Sequence, residues 1–100
     1  MTVARDPEGA EPRVLGELAD FAGKDVLEIG SGEGRLTWRY AERARSVHGI
    51  DASATAVALA RAALDEHPHL RARVTFEAMD VTASAPPAAT FDAALLAWSL

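Results

Sequence analysis

This sequence predicts an α/β chain of the doubly wound type, built on a mostly parallel sheet, and three observations predict it. Short runs that read as strands at 25–29, 46–50, 73–78 and 91–98 alternate with stretches whose apolar residues recur at helical spacing. That alternation is the pattern of parallel strands joined by right-handed helical crossovers. The first and last runs are apolar almost throughout, as strands covered on both faces are. The first of them breaks abruptly into Gly30-Ser31-Gly32-Glu33-Gly34, with glycine at every second position. A strand that stops at such a loop and restarts as a helix lets backbone approach a ligand closely.

Each element follows from local chemistry. Residues 1–12 read as a flexible lead, with Pro7, Gly9 and Pro12 as breakers. Over 12–22, Val14, Leu15, Leu18, Phe21 and Ala22 recur at helical spacing, and Gly23 is placed to end that helix. Asp25–Ile29 is the first strand. Past the glycine loop, Leu36, Tyr40, Ala41 and Ala44 share one face of a helix running to about residue 44. A second strand, 46–50, ends at Asp51. Ser53 is a credible N-cap for an alanine-rich helix in which Val57, Ala60 and Leu64 share a face. His67-Pro68 stops that helix, because the residue before proline is biased out of the helical region. The third strand, 73–78, ends near Asp80. Residues 83–90, with Pro86 and Pro87, form a loop, and 91–98 (FDAALLAW) is the fourth strand.

Composition narrows the function. One hundred residues, 49 % apolar and 25 % charged, make one ordinary globular domain. A formal net charge of −5 speaks against a nucleic-acid footprint, which needs clustered Lys and Arg. Arg35, Arg39, Arg43 and Arg45 do cluster, but Glu33 and Glu42 interleave them, which reads as a solvated helix face. The absence of cysteine excludes disulfides, thiolate metal sites and a cysteine nucleophile. The N-terminal residues carry Arg5, Asp6, Glu8 and Glu11 with no apolar segment, so neither a signal peptide nor a membrane anchor is expected and a cytoplasmic setting is the default.

The glycine loop decides between ligands. Dinucleotide folds use G-x-G-x-x-G, and the last position of that pattern falls on Arg35. The pattern Glu28-x-Gly30-x-Gly32-x-Gly34 instead resembles the first motif of class I S-adenosylmethionine-dependent methyltransferases. Three further features agree with that resemblance in order: Asp51 at the end of the second strand, Met79-Asp80 at the end of the third, and Phe91-Asp92-Ala93-Ala94-Leu95-Leu96 opening the fourth. The resemblance implies a Rossmann-like methyltransferase fold and S-adenosylmethionine as cofactor. It implies that Gly30, Ser31, Gly32 and Gly34 form the cofactor loop and that Glu28 meets the cationic methionyl amine. Asp51 would grip the ribose diol, where a carboxylate offers two acceptor oxygens to two donors. Asp80 would accept from the adenine amino group, with Ala52 and Met79 flanking the ring.

The family's sheet has seven strands in the order 3-2-1-4-5-7-6, and only the first four are expected here. Residues 13–100 are therefore expected to be a partial, cofactor-binding domain, from a truncated product or fragment with weak or no turnover alone. Its fourth strand is expected as an exposed edge that invites self-association. The expected reaction is transfer of the sulfonium methyl to an N, O or C nucleophile of a small-molecule substrate. No residue is assigned as catalytic base and no metal is expected. Two alternatives stand beside this reading: a non-catalytic cofactor-binding or interaction module, and an NAD-dependent oxidoreductase using Asp51 for ribose. Plainer readings also exist for single residues. Asp51 could cap the next helix, Asp80 could be a turn aspartate and Glu28 a salt-bridge acid. His48 reads as a hydrogen-bonded structural histidine, Trp38 and Phe76 as packing residues, and Trp98 as packing with a chance of touching cofactor or substrate. His67 and His69 lack any further ligand pattern for a metal.

Overall fold

The computed structural model of the protein describes residues 2–5, 21–80 and 91–96. Its elements in chain order are β1 (Thr2–Arg5), β2 (Asp25–Ile29), α1 (Thr37–Tyr40), β3 (Ser46–Asp51), α2 (Ala54–Leu64), a 3-10 turn at Pro68–Leu70, β4 (Val74–Ala78) and β5 (Ala93–Leu96). The strands form a single parallel sheet in the order β1-β5-β2-β3-β4. Read from β4, that order places the four expected strands as 3-2-1-4.

The period of two along each strand divides the core between two faces. On one face Val26, Val47, Val74, Phe76, Ala93 and Leu95 pack beneath Leu36, Tyr40, Ala41 and Ala44 from the α1 region and Val57 and Ala60 from α2. On the other face Leu27, Ile50 and Ala94 are buried, with Ile29, Met79 and Phe91 packed against them. Burial on both sides suits the adjacent apolar pair Val26 and Leu27 of β2, one facing each way.

The α2 helix starts where its cap chemistry dictates. Ser53 adopts an extended backbone, and its side-chain oxygen accepts from the Ala56 N–H at 3.2 Å. The helix closes before His67-Pro68, and Pro68 then opens the 3-10 turn. At the opposite end of the sheet an acid–base clamp ties three strand starts together. Arg45 Nε and Nη2 donate to the two carboxylate oxygens of Asp25 at 3.0 and 2.5 Å, and Nη2 also reaches Asp92 at 3.2 Å. Arg45 therefore works at the sheet, while Arg35, Arg39 and Arg43 are exposed as expected.

Three expectations are corrected. Part of the expected flexible lead, Thr2–Arg5, is a strand paired in parallel with β5. The fourth predicted strand is consequently an interior strand, with β1 on one side and β2 on the other. Its backbone donors and acceptors are engaged on both sides, so the physical basis for self-association through that edge is gone. Regular helix after the glycine loop is confined to Thr37–Tyr40, where Leu36 provides no side-chain cap, and turns continue to Arg43. The helix expected over 12–22 and the loop expected over 83–90 lie outside the described residues, except for Phe21 and Ala22. Among the described residues no helix is long and apolar enough to cross a membrane.

Candidate cofactor site

The carboxyl end of β2 continues into a loop that folds back over the end of β3. The N–H groups of Gly30 and Ser31 both donate to the Ile50 carbonyl, at 2.8 and 3.0 Å, and the Gly34 N–H donates to the Ser31 carbonyl at 3.0 Å. Gly32 N–H donates to Asp51 Oδ2 at 2.9 Å, while Asp51 Oδ1 accepts from Ser53 N–H at 2.8 Å. Asp51 thus joins the glycine loop to the start of α2. Each of its oxygens has a second lone pair, so the carboxylate can still accept from a ligand.

Glycine is required at two positions, one in this loop and one beneath it. Gly34 has φ +91°, and a Cβ there would stand 2.9 Å from Trp38 Cζ2. Gly49, in the neighbouring strand, leaves the space that the Phe76 ring fills, since a Cβ would lie 2.7 Å from Phe76 Cδ1 and 3.0 Å from Ser31 Cβ. The loop is seated on the sheet because residue 49 has no side chain.

A cavity of about 510 Å³ opens above this loop, lined by Glu28, Gly30, Ser31, Gly32 and Asp51 together with residues of the loop and of α2. That size lies within the range of small-ligand sites. Glu28 is its unusual member: the side chain is fully buried. Thr37 Oγ1 and Tyr40 Oη both donate to its Oε1, at 2.8 and 2.6 Å. Oε2 is buried and has no hydrogen-bond partner among the described residues. Burial pushes the carboxyl up to about 7, against the lowering effect of the Tyr40 and Thr37 hydrogen bonds and of the Arg35 charge. Burial, and then the neighbouring Glu28, in turn holds the Tyr40 hydroxyl well above its ordinary value. A buried carboxylate oxygen with no donor is costly unless something supplies one.

The structure brings together Glu28, Gly30, Ser31, Gly32 and Asp51 of the expected site residues. Gly34 lies behind the loop against Trp38. Ala52, Met79 and Asp80 do not line the cavity. They follow the ends of β3 and β4, where Met79 N–H donates to the Asp51 carbonyl at 2.9 Å, and Met79 packs on the opposite sheet face. Thr37 and Tyr40 were not singled out in the sequence as site residues. A tyrosine on the buried stripe of a helix was the available signal, because a buried phenol needs a partner.

The histidines have other employment. His48 Nδ1 lies 2.7 Å from Thr75 Oγ1 and Nε2 lies 3.1 Å from Glu77 Oε1, the structural role expected of it. His67 stacks on Trp38 at 4.7 Å and His69 pairs with Glu42 at 3.0 Å. Trp38 also packs edge-on to Phe76 at 5.8 Å. Among the described residues no group of three or more His, Cys, Asp or Glu side chains could hold a metal ion.

A family model described as a methyltransferase domain matches residues 26–100, three-quarters of the chain. The chain belongs to the methyltransferase-domain family. Its curated relatives include an uncharacterized methyltransferase of Geobacillus thermodenitrificans, 46 % identical over 50 residues, which are half of this chain and 23 % of the relative. A relative from Geobacillus kaustophilus matches to the same extent. The match therefore spans about a quarter of the length of these relatives. Among solved structures, the [4+2]-cyclase SpnF superposes with a TM-score of 0.66 at 31 % identity, covering 82 % of this chain and 32 % of the cyclase. Magnesium protoporphyrin IX methyltransferase from Synechocystis, solved with bound S-adenosylhomocysteine, superposes with a TM-score of 0.59 at 26 % identity over 69 % of this chain and 33 % of its own. The 23S rRNA methyltransferase ErmE does so with a TM-score of 0.57 at 28 % identity, covering 78 % of this chain and 32 % of ErmE. The methyltransferase domain thus has the Rossmann-like fold that its first motif implied.

Proposed function

We propose that this methyltransferase domain binds S-adenosylmethionine in the cavity above Glu28 and serves a methyltransferase that acts on a small molecule. The observation that carries the reading is Glu28 Oε2, a buried acceptor with no donor among the described residues, on a residue that lines the cavity. An ammonium group is the complementary ligand atom, and the amino-acid end of S-adenosylmethionine has one. Asp51, across the same cavity, would receive the ribose hydroxyls, with Ala52, Met79 and Asp80 beyond it toward the base. The bound S-adenosylhomocysteine of the Synechocystis neighbour supports the choice of cofactor.

The glycine loop favours this ligand over a dinucleotide. A pyrophosphate needs N–H groups aimed at it, whereas those of Gly30, Ser31, Gly32 and Gly34 are hydrogen-bonded within the protein. A buried carboxyl directly beneath the loop would also repel a phosphate.

When bound, the cofactor supplies an electrophilic methyl group on a sulfonium, which a nitrogen, oxygen or carbon nucleophile takes by in-line displacement as the C–S bonding pair returns to sulfur. The described residues contribute binding and orientation, which such a displacement chiefly requires. The net charge of −5 supports a small-molecule acceptor.

The test is thermal unfolding of the protein with S-adenosylhomocysteine, and with NAD as control. A ligand that binds only the folded state raises Tm. A rise with S-adenosylhomocysteine and none with NAD is the expected result. A cooperative transition unmoved by S-adenosylhomocysteine at millimolar concentration would overturn the assignment.

A further inference from the structure

We propose that Thr37 and Tyr40 are positioning residues, which pin one oxygen of the Glu28 carboxylate and thereby reserve the other for the ammonium of an amino-acid-bearing ligand. Their role presupposes the cofactor reading above and adds to it the origin of selectivity for the amino-acid end.

The geometry is specific. Thr37 and Tyr40 lie one helical turn apart on α1, so both hydroxyls project to the same side. Both donate to Oε1, at 2.8 and 2.6 Å, and neither donates to Oε2. All three side chains are buried, with Thr37 and Glu28 at 0 % exposure and Tyr40 at 1 %. Two donors on one oxygen fix the plane of a carboxylate that is otherwise free to rotate about its last torsion. They also favour its ionised form, the form that attracts an ammonium. Tyr40 is itself held by Phe21, whose ring meets it edge-on at 5.3 Å.

Among the described residues, the other charged groups around Glu28 are few. Arg35, in the loop between β2 and α1, favours ionisation, and Glu33 and Asp51 line the same cavity. None of the three donates a hydrogen bond to the Glu28 carboxylate. Orientation therefore falls to the two hydroxyls, and Arg35 contributes only field.

Two consequences follow that a merely structural role would not produce. Removing either hydroxyl should weaken a ligand that carries the amino-acid end and spare one that lacks it. It should also move the pH dependence of binding, because the ionised carboxylate has lost a donor.

The probes are S-adenosylhomocysteine and 5′-methylthioadenosine, which shares the nucleoside but has no amino-acid end. They are titrated calorimetrically into the wild-type protein, Tyr40→Phe and Thr37→Val between pH 6 and 8.5. Each variant is expected to bind S-adenosylhomocysteine on the order of tenfold more weakly at pH 7. Each should hold methylthioadenosine within about twofold, since that ligand makes no use of the pinned oxygen. The midpoint of the pH dependence for S-adenosylhomocysteine should rise by about one pH unit, so that affinity partly recovers at pH 8.5. Thr37→Ser keeps the hydroxyl and should restore wild-type behaviour, which guards against a packing defect in Thr37→Val.

Equal weakening of both ligands, or an unmoved pH midpoint, would overturn the positioning role while leaving the cofactor reading intact. Failure of the wild-type protein to bind either probe would overturn the cofactor reading, and the positioning role with it.

Discussion

Replacing Glu28 with glutamine keeps the shape of a fully buried side chain and leaves a carbonyl to accept from Thr37 and Tyr40, but removes the titration. The Glu28 carboxyl stands at about 7 in the folded chain against an ordinary 4.5, because burial disfavours its charge. A carboxyl raised on folding holds its proton more tightly in the native state. It contributes stability that is complete below pH 4.5 and is lost as pH rises through 7. Between pH 5 and pH 8 the wild-type protein should surrender about 2–3 kcal/mol at this one group. The glutamine variant surrenders none of it. Its amide nitrogen takes the place of the orphan oxygen at a cost of about 1–3 kcal/mol, and that cost does not vary with pH. The expected outcome is therefore a stability difference between variant and wild type that moves by about 2–3 kcal/mol in the variant's favour from pH 5 to pH 8. Urea unfolding at the two pH values measures it, and every group common to both proteins cancels. A difference that stays constant within about 0.5 kcal/mol would show that Glu28 does not titrate in this window, and would refute the account of its burial.

Three further predictions concern separate parts of the fold. Gly49→Ala should lower stability by about 1–3 kcal/mol and weaken S-adenosylhomocysteine binding, because the added methyl meets both Phe76 and the loop at Ser31; an unchanged Tm in a scanning experiment would contradict the packing argument. Asp51→Asn should weaken S-adenosylhomocysteine binding on the order of 10- to 100-fold by calorimetry, and a change under twofold would remove Asp51 from the site. Arg45, and then Ser46, hold the Asp25 carboxyl at about 2, below its ordinary 3.8, so the stability it contributes is present above pH 4 and is lost as pH falls through 2. Asp25→Asn should accordingly show a smaller loss of stability between pH 4 and pH 2 than the wild type in an acid titration followed by circular dichroism.

The sheet was legible where one physical signal acted alone. β2 and β3 were readable from short runs set between stretches of helical spacing and ending at the glycine loop and at Asp51, and the start of α2 from a serine placed before an alanine-rich stretch. The family motif was readable because Glu28 and three glycines keep a fixed spacing. β1 was not readable: four residues followed closely by Pro7 and Gly9 show no strand period, and their pairing with β5 is a contact between distant parts of the chain. The helix after the loop was read too long, since Leu36, Tyr40, Ala41 and Ala44 keep a helical face even where the backbone only turns. At the site, the residue types near the cavity were legible but their partners were not. That two hydroxyls on α1 would converge on one oxygen of Glu28 depends on how α1 settles on the sheet, which no local pattern encodes. The engagement of Asp51 with the backbone of Gly32 was hidden for the same reason, whereas its bond to the Ser53 N–H is the local helix-start contact that the capping reading of Asp51 allowed.

The bond from Gly32 N–H to Asp51 has a consequence for observation. This single amide proton joins the glycine loop to the carboxylate proposed to receive the ribose, so its exchange rate and chemical shift report on both at once. A hydroxyl-bearing ligand that settles on Asp51 withdraws electron density from the bond, and a ligand that only fills the space above Glu28 does not. Gly32 is thus a built-in spectroscopic reporter, able to tell which end of a bound molecule has arrived without any label being added to the site.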